Sequence, residues 1–198
     1  MKLFSSISLI VALGLGLAGC SSSDEENIVV AELTDIDAKF EAKVQWQKQV
    51  GNGVSGHFSR LTPVLNRDTI YAASREGIVS AFDFASGEKK WSVDIRKSDT
   101  DYFSALFSEQ ESGRVSGGLT VAYGKLYLGT ENGEVIALDI ADGKTLWRKQ
   151  VKGEVIAPPA SGEGLIIVNT GAGYLVALHP DSGEMRWEYE QEVPPLTL

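Results

Sequence analysis

The chain has one cysteine in 198 residues, Cys20, and it stands directly behind Leu17-Ala18-Gly19. Small side chains before a thiol are what lipoprotein-processing enzymes require, with cleavage between Gly19 and Cys20 and transfer of a diacylglycerol to the sulfur. A lone thiol has no partner for an internal disulfide. Lys2 and the apolar stretch Ile7–Leu17 complete a signal-peptide pattern, too short to span a bilayer. Residues 1–19 are therefore expected to be removed and Cys20 to become a lipidated N-terminus. Acyl chains bury at roughly 0.8 kcal/mol per methylene, so several of them anchor the protein on a membrane without a spanning segment.

Other chemistry-bearing residues are sparse. Asp83 and Asp139 could be read as acids or ligands, but they recur at one repeat position before a turn, where His179 replaces them in a third copy. At such a place a carboxylate caps nearby backbone amides and needs no substrate. His57 and His179 lie far from other metal-type residues in sequence, and the thiol is committed to lipid, so no metal site and no catalytic residue is expected. The acidic residues Asp99, Asp101, Glu109 and Glu111 lack the regular spacing of a calcium loop. Tyr102, Phe103, Leu106 and Phe107 beside them are apolar residues in a loop, which need either a core or a partner. A formal net charge of −9 without a basic cluster disfavours nucleic acid.

The elements that would hold these residues follow from an internal repeat. Residues 20–37, beginning Cys20-Ser21-Ser22-Ser23-Asp24-Glu25-Glu26-Asn27, are polar and read as a flexible tether. Beyond it, three segments superimpose without a gap and end at Trp91, Trp147 and Trp187. Each carries a glycine in a first turn (Gly77, Gly133, Gly173) and another in a second turn (Gly87, Gly143, Gly183), with Ala81, Ala137 and Ala177 between them. Val-, Ile-, Leu- and Tyr-rich runs between these turns favour short antiparallel strands.

One such sheet cannot bury both faces alone. Units of about forty residues that pack on copies of themselves form a β-propeller of four-stranded blades. The expectation is an all-β fold with complete blades around 60–95, 117–150 and 157–190, each tryptophan wedged between sheets. Residues 38–50, around Trp46, are expected to be a closing strand of the last blade, and Ser92–Gly117 a long loop between the first two blades. Propellers usually have four to eight blades, so the chain is read as an N-terminal portion of a longer protein.

Ala137, Asp139, Gly143, Lys144 and Trp147 form a pattern that resembles the tryptophan-docking repeat of quinoprotein-type propellers. Two families share it. One is the pyrroloquinoline quinone-dependent dehydrogenases, which would make the chain an exported enzyme fragment. The other is the propeller lipoprotein of the outer-membrane β-barrel assembly machinery, the BamB type. The lipobox, tether, Trp46 segment, lengthened first linker and closing Val193-Pro194-Pro195-Leu196-Thr197-Leu198 together resemble the second.

That resemblance implies an eight-bladed ring without cofactor or enzymatic activity. It also implies binding to the periplasmic domains of the barrel-inserting subunit and assistance to the folding and insertion of outer-membrane proteins, while exposed strand edges would allow pairing with unfolded barrel strands as well. Ser21 after the cysteine resembles the signal for transfer to the outer membrane, so the body would hang from that membrane on its periplasmic side. Leu196 and Leu198 fall in the stretch that resembles the family's partner contact, although their spacing from Trp187 also suits the start of a further buried strand.

Overall fold

The computed structural model describes residues 39–57, 59, 61–96 and 113–192. The chain divides into two units, residues 1–43 and 44–198. Of the first, the described residues 39–43 form a bend and irregular chain.

The second unit is all-β among its described residues. Twelve strands make three four-stranded antiparallel sheets, each in simple sequential order. The first sheet contains β1 (Val64–Asn66), β2 (Thr69–Ala73), β3 (Ile78–Asp83) and β4 (Lys89–Asp94). The second contains β5 (Val115–Ala122), β6 (Lys125–Thr130), β7 (Glu134–Asp139) and β8 (Thr145–Gln150). The third contains β9 (Ala160–Gly162), β10 (Leu165–Asn169), β11 (Tyr174–Leu178) and β12 (Met185–Glu190). Each sheet is a four-stranded unit of the kind the sequence repeat predicts for a blade.

The inner strands show why the sequence lacks a clean alternation of apolar and polar residues: both faces of a middle sheet are buried. In β6 and β7, Leu126, Leu128, Ile136 and Leu138 turn toward the first sheet and join a cluster with Tyr71, Val79 and Ala81. Their neighbours Tyr127, Val135 and Ala137 turn the other way and join Ile166, Val168, Val176 and Leu178 of the third sheet. The core is thus a series of layers between sheets.

Each sheet repeats one row of side chains across its strands. Tyr71 pairs with Ala81 and Ala81 with Trp91, Tyr127 with Ala137 and Ala137 with Trp147, and Ile167 with Ala177 and Ala177 with Trp187. The small alanine leaves room for the flanking rings to meet over it. Tyr71 and Trp91 have centroids 5.8 Å apart at 46°, and Tyr127 and Trp147 repeat both values. All three sheets also shift register immediately after that alanine.

The stretch expected as a closing strand, residues 38–50, forms no strand in its described part, residues 39–50. A ladder needs a neighbouring strand to pair with, and the segment is held instead by its tryptophan, as follows.

Candidate functional site

The repeated geometry lies at the junctions between sheets. The Trp91 indole N–H donates to the Ile140 carbonyl at 3.0 Å, and that of Trp147 to the Pro180 carbonyl at 2.9 Å. Trp46 makes the same bond to Phe84 at 2.9 Å, with its ring 6.3 Å from that of Phe82. Each acceptor lies in the last turn of the following sheet, one residue after Asp83, Asp139 or His179.

Three positions further along stands the turn glycine, pressed against the same indole. A Cβ added to Gly87 would lie 2.6 Å from Trp46 Cδ2, one on Gly143 would lie 2.7 Å from Trp91 Cε3, and one on Gly183 would lie 2.6 Å from Trp147 Cε3. These glycines have φ values of +69°, +78° and +68°, which a side chain would strain as well. Docking thus needs a carbonyl at one position and an absent side chain at another. Burying an indole removes about 150–250 Å² from water, worth on the order of 4–6 kcal/mol as an upper bound.

The tyrosines complete two of the junctions. The Tyr71 hydroxyl donates to the Ile140 carbonyl at 3.4 Å and the Tyr127 hydroxyl to the Pro180 carbonyl at 3.1 Å, so each carbonyl serves an indole and a phenol. Burial pushes both phenols above the ordinary tyrosine range, Tyr127 further than Tyr71. In the third sheet the matching residue is Ile167, which has no hydroxyl. Trp187 is 41% exposed, with no docking carbonyl among the described residues.

Asp83, Asp139 and His179 are occupied by their own turns. Asp83 Oδ1 accepts from the Ala85 and Ser86 amides at 3.1 and 2.9 Å and from the Ser86 hydroxyl at 2.9 Å. Those bonds, led by the Ser86 amide, hold its carboxyl below the usual range. Asp139 Oδ1 accepts from the Ala141 amide at 2.7 Å. His179 Nδ1 accepts from the Asp181 amide at 3.2 Å, which requires the tautomer protonated at Nε2. A histidine can therefore take this place: the turn needs an acceptor, not a charge.

A second set of polar residues escaped the sequence reading. Ser74, Thr130 and Thr170 are 0%, 2% and 1% exposed, and their hydroxyls accept the amides of Ile78, Glu134 and Tyr174 at 3.2, 3.1 and 3.1 Å. They close the turns that contain Gly77, Gly133 and Gly173, whose φ values are +114°, +76° and +85°. The signal was present as a hydroxyl-bearing residue three positions before each glycine, a local capping pattern.

Ion pairs also cross the junctions. Arg75 reaches Glu131 at 2.6 Å from the first sheet to the second, and Lys125 reaches Asp181 at 2.5 Å from the second to the third. The Asp181 carboxyl is held low by that lysine.

His57 is exposed, with Nδ1 3.1 Å from the Ser55 carbonyl. Among the described residues no three His, Cys, Asp or Glu side chains gather as a metal site would require. No helix among them is long and apolar enough to cross a membrane. Gly19, Cys20, Leu196 and Leu198 lie outside the described residues, as do Asp99, Asp101, Glu109, Glu111 and the apolar Tyr102, Phe103, Leu106 and Phe107.

A family model described as "Outer membrane protein assembly factor BamB" matches residues 14–108 and 75–198. The chain belongs to the BamB family. It is 40% identical to the protein of that name from Shewanella oneidensis over 192 residues, covering 96% of this chain and 48% of the relative. It is 40% identical to that of Vibrio cholerae over 197 residues, covering 100% and 48%. The chain thus spans about half the length of the curated relatives it matches. Among solved structures, BamB from Moraxella catarrhalis aligns with a TM-score of 0.54 at 26% identity, over 66% of this chain and 35% of that one. The quinohemoprotein alcohol dehydrogenase of Comamonas testosteroni aligns at 0.50 and 24% identity, over 67% of this chain and 21% of that one, a likeness of fold alone.

Proposed function

We propose that the chain contributes blades to a lipid-anchored, non-catalytic scaffold that assists assembly of β-barrel outer-membrane proteins. In this reading Cys20 carries the lipid after removal of residues 1–19. Residues 20–37 tether the body, which lies on the periplasmic side of the outer membrane, and the three blades belong to a ring of eight. The partner is the barrel-inserting subunit of the assembly machinery, met through its periplasmic domains at Leu196 and Leu198, with unfolded barrel strands as further ligands.

The observation that carries this reading is the family match along nearly the whole chain. The geometry supports a passive role, because the repeat residues that could do chemistry are bound to their own turn amides. Rigid discs built from such junctions offer connecting loops and strand edges for docking other proteins.

The test is co-purification from outer membranes with the full-length protein. Leu196→Glu with Leu198→Glu should abolish capture of the barrel-inserting subunit while the folded tryptophan fluorescence is kept. Cys20→Ser should release the protein from the membrane fraction. Undiminished capture by the double variant would remove Leu196 and Leu198 as the contact. A stoichiometric quinone in the purified protein would replace the scaffold reading with a dehydrogenase.

A further inference from the structure

The two complete junctions differ on the side that carries the docked tryptophans. Between the second and third sheets, Lys125 bridges to Asp181, and the Tyr123 hydroxyl accepts the Gly164 amide at 3.1 Å. Between the first and second sheets the repeat places Thr69 where Lys125 would be, Ala141 where Asp181 would be, and Arg67 where Tyr123 would be. None of these can form the same bridge. At this unbridged junction lies a cleft of about 610 Å³ lined by Arg67, Lys90 and the Gly124 turn, with Val121, Ala122 and Ile140 as its apolar part. That volume lies within the usual span of small-ligand sites, roughly 300–1,000 Å³.

The polar groups in it are unequally engaged. Lys90 is committed to the Thr69 hydroxyl at 2.7 Å and to Asp68 at 3.4 Å, and Asp68 also accepts the Thr69 hydroxyl at 3.0 Å. Arg67, by contrast, is exposed and makes no ion pair among the described residues; its φ of +55° is shared by the equivalent hairpin residues Tyr123 and Glu163, both at +49°. The Gly124 amide is also without a protein acceptor among the described residues. Its counterpart, the Gly164 amide, donates to the Tyr123 oxygen, an acceptor that an arginine cannot supply.

We propose that this cleft binds a carboxylate carried on a small apolar group. One carboxylate oxygen accepts the Gly124 amide in the role that the Tyr123 hydroxyl plays at the next junction. Arg67 grips the carboxylate with its planar fork of donors, and the apolar part rests on Val121, Ala122 and Ile140. The site is independent of the contact proposed at Leu196 and Leu198.

The test titrates phenylacetate into the intact, isotope-labelled protein and follows the Gly124 amide resonance. A saturable shift with phenylacetate, absent with the neutral phenylacetamide, is the expected result. Arg67→Gly, which relaxes the backbone and so keeps the fold, should weaken binding about tenfold or more, the equivalent of roughly 1.4 kcal/mol. Thr69→Lys with Ala141→Asp transplants the bridge of the next junction and should close the site. A blocked peptide with one central glutamate, compared with its glutamine version, separates the sources. Tighter binding than phenylacetate by the glutamate peptide assigns the carboxylate to a polypeptide, and weaker binding to a free small acid. No saturable shift, an equal shift with phenylacetamide, or unchanged affinity in Arg67→Gly would each overturn the proposal.

Discussion

The Trp147 indole occupies the space that a side chain on Gly183 would need: a Cβ there would lie 2.6 Å from Trp147 Cε3, on a residue whose φ is +68°. Gly183→Ala is therefore expected to destabilise the protein by about 2–5 kcal/mol, combining left-handed backbone strain with overpacking. Gly164→Ala is the control, since its φ is +72° but nothing lies within 4 Å of the added Cβ. It should lose only the backbone part, about 1–2 kcal/mol. Urea unfolding of both variants separates the contributions, and equal losses would mean that the indole places no demand on position 183.

Ala137 is fully buried and sits between Tyr127 and Trp147 in the cross-strand row. Replacing it with Leu should force the rings apart and cost about 1–3 kcal/mol. A changed near-ultraviolet signal from the tryptophans would accompany the loss. Ala137→Gly removes little volume and should leave the ring pair in place.

Asp139 accepts a backbone amide in its turn at 2.7 Å. Asp139→Ala is expected to cost about 1 kcal/mol of stability, the ordinary loss of one such bond, and to leave partner capture unchanged. Asp139→His should be milder, because His179 fills the equivalent place with Nδ1 as acceptor. Loss of capture without loss of stability in Asp139→Ala would show that the carboxylate faces a ligand.

Alkaline pH tests the shared carbonyl at Pro180. Burial first, and the nearby Asp181 charge second, raise the Tyr127 phenol above its ordinary value of 10.0. A raised value in the folded state contributes stability that is complete below pH 10.0 and is lost as pH rises above it, because the unfolded chain ionises first. Stability should fall steeply on the alkaline side, and Tyr127→Phe should flatten that fall. An unaltered alkaline limb in Tyr127→Phe would mean that the phenol is not what limits it.

Much of the fold was legible because the repeat speaks through local offsets. Trp91, Trp147 and Trp187 stand at fixed distances from their turn glycines, and a glycine or an indole has few substitutes for its task. The acceptors of the indole bonds left no such trace: Phe84, Ile140 and Pro180 offer only a carbonyl, which every residue possesses. The hydroxyls of Ser74, Thr130 and Thr170 could have been found, but their register was hidden among other small polar residues near turns. The cleft beside Arg67 was not legible at all, because its lining comes from two sheets that are distant in sequence. The expected strand at residues 38–50 shows a further limit. Side-chain pattern marks a segment that can pair, whereas pairing depends on a neighbour elsewhere in the chain.

Among the described residues, the Trp91 and Trp147 indoles each reach from one sheet into a turn of the next. The two sides of a sheet are consequently unlike, one a plug and the other a socket, and stacking proceeds head to tail in a single direction. A head-to-tail arrangement of this kind has no internal stop, and it ends either by closing on itself or at a capping unit.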